Sequence, residues 1–292
     1  MHVSIAGGSG FVGSHLIRAL VQSGISVRAL VRDEQTSSKI SGVSYVKGNI
    51  QTGEGLSGFF KDTEVFINLI GRFDPPLRAQ LETNVVTLME LFESAGKAGV
   101  TRIIHISAAA VYGDRAINTL PAEKDNPNPT TGYALSKLLG EQALQYFAAA
   151  YSMQYTILRP TNIYGEDAKA GVIASMADSY RKSGSISITG DGKQTRDFVH
   201  VEDLISAIVA VLSGQHRELV YNVSSGEVLN LNELADIFRN AGDKKIRISH
   251  VPEAKGFVRA LRADNRKLMH DYAWKPRYNV TDTVVKLLQY AA

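Results

Sequence analysis

Residues 3–13 read Val-Ser-Ile-Ala-Gly-Gly-Ser-Gly-Phe-Val-Gly, a short run of strand-forming residues followed by glycines at Gly7, Gly10 and Gly13. Apolar residues with helical spacing come next, so the stretch predicts a strand, a tight turn and a helix. This order opens the βαβ unit that binds dinucleotides. The glycines permit the turn, close approach of the backbone to a pyrophosphate, and close packing of the helix on the strand. The N-terminus of the helix offers N–H groups and a partial positive charge to the phosphates.

The composition is that of an ordinary globular protein. The chain has 292 residues, 44% of them hydrophobic and 21% charged, and a formal net charge of +3. Acidic and basic residues are interspersed, which gives no reason to expect nucleic acid or a membrane surface as a partner. Cysteine is absent, which excludes disulfides and thiolate ligands, and no His, Asp or Glu cluster has metal-ligand spacing. With a strand at its start and no apolar run of membrane-spanning length, the chain is expected to be cytoplasmic.

Strand-like and helical segments alternate through the first half, which predicts an α/β fold with a doubly wound parallel sheet of Rossmann type. The pattern changes after Pro160. We expect a dinucleotide-binding domain over 1–165, with a later return near 198–225, and a smaller C-terminal substrate-binding domain over 166–292. The predicted strands are Val27–Val31, Val43–Val46, Val65–Ile70, Arg102–Ser107, Tyr155–Arg159, Ile186–Ile188, Phe198–Val201 and Tyr221–Val223. The predicted helices are Leu81–Ala98, Gly132–Tyr151, Val172–Ser183, Glu202–Leu212, Leu231–Ala241 and one from Val284 to the end.

A second motif, Tyr133-Ala-Leu-Ser-Lys137, lies at the start of a long predicted helix. A spacing of four residues puts the tyrosine and the lysine on one face of that helix. Because a nearby ammonium group favours the phenolate, we expect the pKa of Tyr133 to be lowered, so that Tyr133 acts as an acid or a base. Lys137 is also placed to hold a cofactor ribose.

The order of these motifs resembles the extended short-chain dehydrogenase/reductase superfamily, and within it the NAD(P)-dependent sugar-nucleotide epimerases, dehydratases and reductases. The glycine spacing, with Phe11 and Val12 before Gly13, is similar to that branch, and the similarity covers nearly the whole chain. Further matching segments are Val111-Tyr-Gly113, Leu158-Arg-Pro-Thr-Asn-Ile-Tyr-Gly165, Gly190-Asp-Gly-Lys-Gln-Thr-Arg-Asp-Phe-Val-His-Val-Glu-Asp203, Tyr221-Asn-Val-Ser-Ser-Gly226, and Asp264 followed by Trp274-Lys-Pro276.

The resemblance implies a substrate and an assembly. Asn162 and Arg196 would contact a sugar nucleotide, with Arg262 or Arg259 as a second arm, since a guanidinium fork suits a diphosphate. The resemblance also implies a homodimer, in which the Tyr-Lys helix and its predecessor pack into a four-helix bundle. An apolar surface for that contact is offered by Leu138, Ala143, Leu144 and Phe147, although packing within the chain explains the same residues.

One catalytic position departs from the family pattern. Four residues before Tyr112 the family has a serine or threonine, whose hydroxyl would stabilise charge on the reacting oxygen. This chain has Ala108 there. Ser107 is the candidate replacement, although a shift of one residue along a strand turns a side chain to the other face. Tyr112 and Thr131 are further candidates for the missing hydroxyl.

The cofactor positions also depart from the pattern. NAD-selective relatives end the second strand with an acidic residue that binds the ribose hydroxyls. The matching position is Val31, followed by Arg32, which would favour the 2′-phosphate of NADP. With Asp33 as a displaced ribose ligand, NAD remains the alternative. Asn49, followed by Ile50, stands where the family often has an aspartate near the adenine.

Three functions remain open from the sequence. The first is an epimerase for a nucleotide-diphosphate sugar, similar to UDP-glucose 4-epimerase, that works by transient hydride transfer. The second is an NADPH-dependent reductase of a keto-sugar nucleotide or a similar ketone, which Arg32 favours. The third is a cofactor-binding sensor without catalysis, suggested by Ala108. A standard 4,6-dehydratase is not expected, because Ala109 and Ala110 follow where those enzymes have an Asp-Glu pair.

Overall fold

The computed structural model describes residues 1–33, 40–114, 119–215, 219–242, 246–253 and 258–289. Its strands are β1 His2–Ala6, β2 Ser26–Val31, β3 Val43–Lys47, β4 Val65–Asn68, β5 Arg102–Ile106, β6 Gln154–Pro160, β7 Asn162–Tyr164, β8 Ser185–Thr189, β9 Thr195–His200, β10 Leu219–Val223, β11 Val228–Asn230, β12 Arg247–Val251 and β13 Ala260–Leu261. Its α-helices are α1 Phe11–Gln22, α2 Leu56–Phe60, α3 Leu77–Leu81, α4 Thr87–Lys97, α5 Gly132–Tyr151, α6 Val172–Ser183, α7 Val201–Ser213, α8 Leu231–Ala241, α9 Arg266–Tyr272 and α10 Val280–Gln289.

Seven parallel strands form the central sheet, in the order β10-β6-β5-β4-β1-β2-β3. Apolar residues cover both of its faces. One core lies under α1, α7 and α9 and includes Ile5, Leu16 and Leu204. The other lies under α2, α4 and α5 and includes Phe66 and Phe92. The doubly wound parallel sheet predicted from the sequence is therefore confirmed.

The strand order places a crevice above β1. The chain proceeds from β1 to β2 and β3 on one side and to β4, β5 and β6 on the other. In open α/β sheets, ligands bind at such a reversal, outside the carboxyl ends of the strands. The glycine turn after β1, the loop after β4 and the segment after β5 all lie at this edge.

A second layer of structure follows β6. Strand β9 pairs with β7, β11 and β13, and β8 pairs with β12. A separate apolar core under α6, α8 and α10 includes Ile173, Phe198 and Phe238. Strand β10 then returns to the central sheet and pairs with β6, from Leu219 opposite Thr156 to Val223 opposite Pro160. The domain boundaries themselves stay a prediction.

The bounds of three helices, α5, α6 and α8, are those predicted. The helix predicted over Leu81–Ala98 is in fact three consecutive pieces, α3, a π-helical turn over Glu82–Val86, and α4. The strand predicted over Phe198–Val201 spans Thr195–His200. Its bounds differ because sequence patterns locate the ends of an element poorly where a helix follows directly. The predicted last helix begins earlier, at Val280, and 290–292 lie outside the described residues. Short elements such as α2, α9, β7 and β11 were not predicted, because a few residues contain too little periodic signal.

Within the described part of the chain, no helix combines the length and apolarity needed to span a bilayer. The cytoplasmic location stays a prediction. Among the same residues, no group of three or more His, Asp or Glu side chains is placed to hold a metal ion.

Candidate active site

The glycine turn after β1 has a shape that side chains would destroy. Gly7 has a φ of +85°, and a Cβ there would lie 2.9 Å from the backbone carbon of Leu69. A Cβ on Gly13 would clash with the carbonyl oxygen of Gly7. Gly10 precedes α1 as its N-cap and has no side chain, so no capping side chain accepts from the first N–H groups of the helix. An open helix N-terminus behind a backbone-only cradle fits a pyrophosphate.

Tyr133 and Lys137 lie in the first two turns of α5, and Thr131 caps this helix by accepting a hydrogen bond from the Ala134 amide. Lys137 is buried, and its Nζ donates to the carbonyl oxygen of Ile106 at 2.6 Å. A Cβ built on Gly71 would lie 3.5 Å from the same Nζ. Since Gly7 leaves no room for a side chain beside Leu69 and Gly71 lies close to Lys137 Nζ, the loop after β4 runs from the glycine turn to the Tyr-Lys pair.

Burial sets the protonation of this pair. It raises the pKa of Tyr133 to about 12. It also lowers the pKa of Lys137 to about 8, against an opposing effect of the Glu141 carboxylate. The expected lowering of the tyrosine pKa by the lysine is therefore wrong for this structure, because burial disfavours the charged phenolate.

A buried amide that no sequence motif indicates holds the loop after β4 in place. Asn84, in the π-helical turn, is fully buried. Its Oδ1 accepts from the Arg72 amide at 2.7 Å, and its Nδ2 donates to the Arg72 carbonyl at 2.9 Å and to Ser136 Oγ at 2.8 Å. Ser136 lies between Tyr133 and Lys137 on α5. One side chain thus joins the loop to the turn of helix that presents the candidate catalytic pair. π-Helical turns occur often at functional sites.

The candidate hydroxyls around Ala108 are mostly engaged elsewhere. Ser107 is buried, and its Oγ donates to Glu141 Oε1 at 2.5 Å. Tyr112 is also buried, and its hydroxyl donates to Asn222 Oδ1 at 2.9 Å. Each of these hydroxyl hydrogens already has a buried acceptor, so neither Ser107 nor Tyr112 is assigned as a donor to the reacting oxygen. Thr131 is half-buried and uses its oxygen as an acceptor, which leaves its hydroxyl hydrogen for another partner.

Behind Lys137 lies a buried ion pair that sequence patterns did not indicate. Arg159 on β6 donates from Nε and Nη2 to the two carboxylate oxygens of Glu141 on α5, at 2.9 and 2.6 Å. It also donates from Nη1 to the Tyr112 hydroxyl at 2.9 Å. Such a bidentate arrangement fixes geometry as well as compensating charge. It anchors α5 to the sheet one turn beyond Lys137.

The predicted substrate residues lie on or next to the small sheet, which is the one formed by β7, β9, β11 and β13. Asn162 is opposite Phe198 in the β7–β9 pair, and its Nδ2 donates to the Asp197 carbonyl at 2.8 Å. Arg196 is opposite Leu261, the residue before Arg262. The half-buried guanidinium of Arg196 donates to two backbone carbonyls, and burial lowers its pKa. Arg259 lies 3.8 Å from Glu253 in an exposed ion pair.

The remaining cofactor candidates lie around the crevice. Val31 is buried at the end of β2, and Arg32 and Asp33 follow it on the surface. Asn49 is exposed, and its Oδ1 accepts from the Gln51 amide at 3.0 Å. The half-buried side chains Phe11, Val12 and Ile50 pack against the cores on either side of the sheet.

A family model described as the NAD dependent epimerase/dehydratase family matches residues 3–224. The chain belongs to this family. Membership makes it a nicotinamide-dinucleotide-dependent enzyme, so the sensor alternative is withdrawn. Membership of the family does not distinguish NAD from NADP as the cofactor of this protein.

Two curated relatives align over nearly the whole chain. A "Putative UDP-glucose 4-epimerase" from Methanocaldococcus jannaschii is 29% identical, with 99% of this chain and 97% of the relative covered. The UDP-glucose 4-epimerase of Mycolicibacterium smegmatis is 28% identical, with 99% of this chain and 98% of the relative covered. Among solved structures, the UDP-glucose 4-epimerase of Thermotoga maritima with UDP-glucose is 25% identical, has a TM-score of 0.89, and covers 99% of this chain and 98% of its own.

Proposed function

We propose that this protein is an NAD(P)-dependent epimerase that acts on a nucleotide-diphosphate sugar, similar to UDP-glucose 4-epimerase. The observation that carries the proposal is the path of the loop after β4, from Leu69 beside the glycine turn to Gly71 beside Lys137. This path supports a dinucleotide held by the glycine turn, with its reactive end near the Tyr-Lys pair. The names of the two whole-length relatives support the same activity.

The proposed chemistry follows from where each group lies. Tyr133 takes the proton of a sugar hydroxyl as the hydride leaves the same carbon, which makes a ketone. It returns the proton when the hydride is given back to the opposite face. The nicotinamide cofactor, when bound, would supply the hydride acceptor and donor for this exchange, and in its oxidised form a positive charge that favours the phenolate. Lys137, held by the Ile106 carbonyl, fixes the position of its ammonium for a ribose hydroxyl.

Substrate orientation is assigned to the small sheet. Asn162 would bind a polar group of the sugar nucleotide, and Arg196 and Arg262 would bind its diphosphate. Consistent with this role, Arg196 is held by two backbone carbonyls, which reduces the conformational entropy it loses on binding. We also propose 1–165 as the cofactor domain and 166–292 as mainly the substrate domain, with the return of β10 to the large sheet as the exception.

One observation favours a reductase as a second candidate. Arg32 is exposed directly after buried Val31 at the end of β2, where a 2′-phosphate of NADP would attract a guanidinium. A reductase releases its cofactor after each turnover, whereas an epimerase regenerates it in place. The fate of the cofactor therefore separates the two candidates.

The deciding experiment incubates the purified protein with UDP-galactose and measures UDP-glucose formed, with no cofactor added and then with NAD or NADP. We expect isomerisation without net change in cofactor absorbance. The Tyr133→Phe variant should lose about 10²–10⁴-fold in kcat, while it binds the cofactor as the wild type does. Net consumption of NADPH with a keto-sugar nucleotide, and no isomerisation, would instead establish the reductase. Near-normal turnover by the Tyr133→Phe variant contradicts the assignment of the tyrosine.

A homodimer is also proposed. The apolar side chains predicted on α5 for this contact divide in the structure. Leu144 is fully buried, and half-buried Phe147 and Leu138 pack against cores of the same chain, so we do not assign these three to the dimer interface. Half-buried Ala143 remains available. Large apolar side chains that are exposed on the adjacent helices are Val86, Met89, Leu135 and Tyr146. A second copy of this chain is the occupant that would bury them.

A further inference from the structure

Phe73, in the loop between β4 and α3, is unusually exposed. Its side chain is 72% accessible, the highest fraction among the large hydrophobic side chains that are exposed in the described ranges. An aromatic ring in water forgoes the favourable free energy of burial. A single exposed apolar side chain is common on protein surfaces, so what distinguishes Phe73 is its position beside a candidate catalytic residue.

The ring lies against the candidate catalytic tyrosine. The centroids of Phe73 and Tyr133 are 5.0 Å apart with an interplanar angle of 67°, an edge-on arrangement typical of aromatic pairs. One part of the phenylalanine ring thus packs on Tyr133, while most of the side chain stays accessible.

The position of Phe73 is imposed by buried amides. Its carbonyl oxygen accepts from Gln80 Nε2 at 2.6 Å, and both backbone groups of the preceding Arg72 bind Asn84. Gln80 and Asn84 are both buried. Two buried side chains therefore hold this short stretch of loop, and they present the ring at the site although the ring itself gains little from packing.

The charged groups around the pair do not explain the exposed ring. Lys137 lies one turn along α5, where the Ile106 carbonyl binds its ammonium. Arg72, Asp74 and Arg78 are exposed on the loop and at the start of α3. An apolar ring between these polar groups suits a ligand that has both an apolar face and hydroxyl groups, as a sugar ring has.

We propose that Phe73 is a substrate-contacting residue: its exposed ring packs on the C–H face of the sugar whose hydroxyl Tyr133 deprotonates, and it excludes water from that hydroxyl. This inference rests on the proposed function and adds a residue to its site. Phe73 thereby selects for a sugar that presents carbon–hydrogen groups, and not a charged substituent, beside the reacting hydroxyl. Tyr133 is shielded by the same contact.

Calorimetric titration of the full-length protein, saturated with its cofactor, tests the contact. UDP and UDP-glucose are the two probes. The Phe73→Ala variant should bind UDP-glucose about tenfold more weakly and UDP unchanged, because only the sugar meets the ring. Phe73→Leu, which keeps an apolar cover, should stay within about threefold of the wild type. Val251→Ala, which truncates another exposed apolar side chain on β12, should match the wild type for both probes.

Two outcomes overturn the inference in distinguishable ways. If the wild type binds UDP-glucose and Phe73→Ala binds it equally well, the contact is wrong and the proposed function stands. If the wild type binds neither UDP nor UDP-glucose, the proposed function fails and the inference fails with it.

A second measurement needs no substrate. Burial raises the pKa of Tyr133 to about 12, so water admitted by Phe73→Ala should lower it. The ultraviolet tyrosinate signal of Tyr133 is isolated by subtracting the titration of the same protein with Tyr133→Phe. Its midpoint should move to lower pH in Phe73→Ala and return in Phe73→Leu. An unchanged midpoint in Phe73→Ala shows that the ring does not shield the tyrosine, which contradicts the inference.

Discussion

At the scale of single residues, position 108 shows how one missing hydroxyl changes a site. Ala108 is buried two residues after β5, in extended backbone, a conformation that any residue adopts. The two hydroxyls nearest in sequence donate to Glu141 and Asn222. This segment therefore offers no hydrogen-bond donor to stabilise negative charge on the reacting oxygen. We expect turnover to be slower than in a site that has a hydroxyl at position 108.

We predict that Ala108→Ser raises kcat about tenfold with little change in KM, because a donor that acts in the transition state increases kcat. Steady-state kinetics with UDP-galactose measures the change. Ser107→Ala is the matched control. It should leave kcat nearly unchanged and lower the free energy of unfolding by about 1.5–3 kcal/mol, since it removes a hydrogen bond to a buried carboxylate. A large fall in kcat for Ser107→Ala, with no loss of stability, would return the catalytic role to Ser107.

At the scale of elements, the π-helical turn between α3 and α4 organises the loop that borders the site. A π-helical turn inserts an extra residue into the helix and redirects side chains. Here the turn contains Asn84, whose three hydrogen bonds reach Arg72 on the loop and Ser136 on α5. The loop, the turn and the catalytic helix therefore form one hydrogen-bonded unit.

We predict that Asn84→Ala loses about 2 kcal/mol of stability and at least tenfold in kcat, because it leaves buried backbone groups without partners and releases the loop. Amide hydrogen exchange gives the specific evidence. The Arg72 amide should exchange faster in the variant, whereas the Ile70 amide, which donates to Asn68 Oδ1, should not. Unchanged protection at Arg72 would show that Asn84 does not hold the loop.

At the scale of the whole molecule, apolar surface remains on α4 and α5 after the chain has folded. Met89 is 41% and Tyr146 69% exposed, on helices that pack side by side against the sheet. Exposed apolar side chains on two adjacent helices are what a symmetric interface between copies requires.

We predict a homodimer, with a mass twice 31.8 kDa, measured by sedimentation or light scattering. Met89→Glu or Tyr146→Glu should shift it to the monomer, because each places a charge in an apolar contact. The same change at Val251, which is 42% exposed on β12, should leave the dimer intact. A wild type that sediments as a monomer at micromolar concentration, or a dimer insensitive to both substitutions, contradicts this interface.

The sequence by itself determined the fold class, the glycine turn and the long helix that begins at Gly132. These depend on local pattern: strand-forming runs, glycines where a Cβ would clash, and apolar spacing of one helical period. Only the tertiary structure decided what the side chains contact. Ser107 meets Glu141, Lys137 meets Ile106, and Asn84 holds Arg72, across separations of 34, 31 and 12 residues. It also reversed the expected pKa shift of Tyr133. The reason is physical, since hydrogen bonds and burial depend on which elements meet in space, and local periodicity does not contain that information.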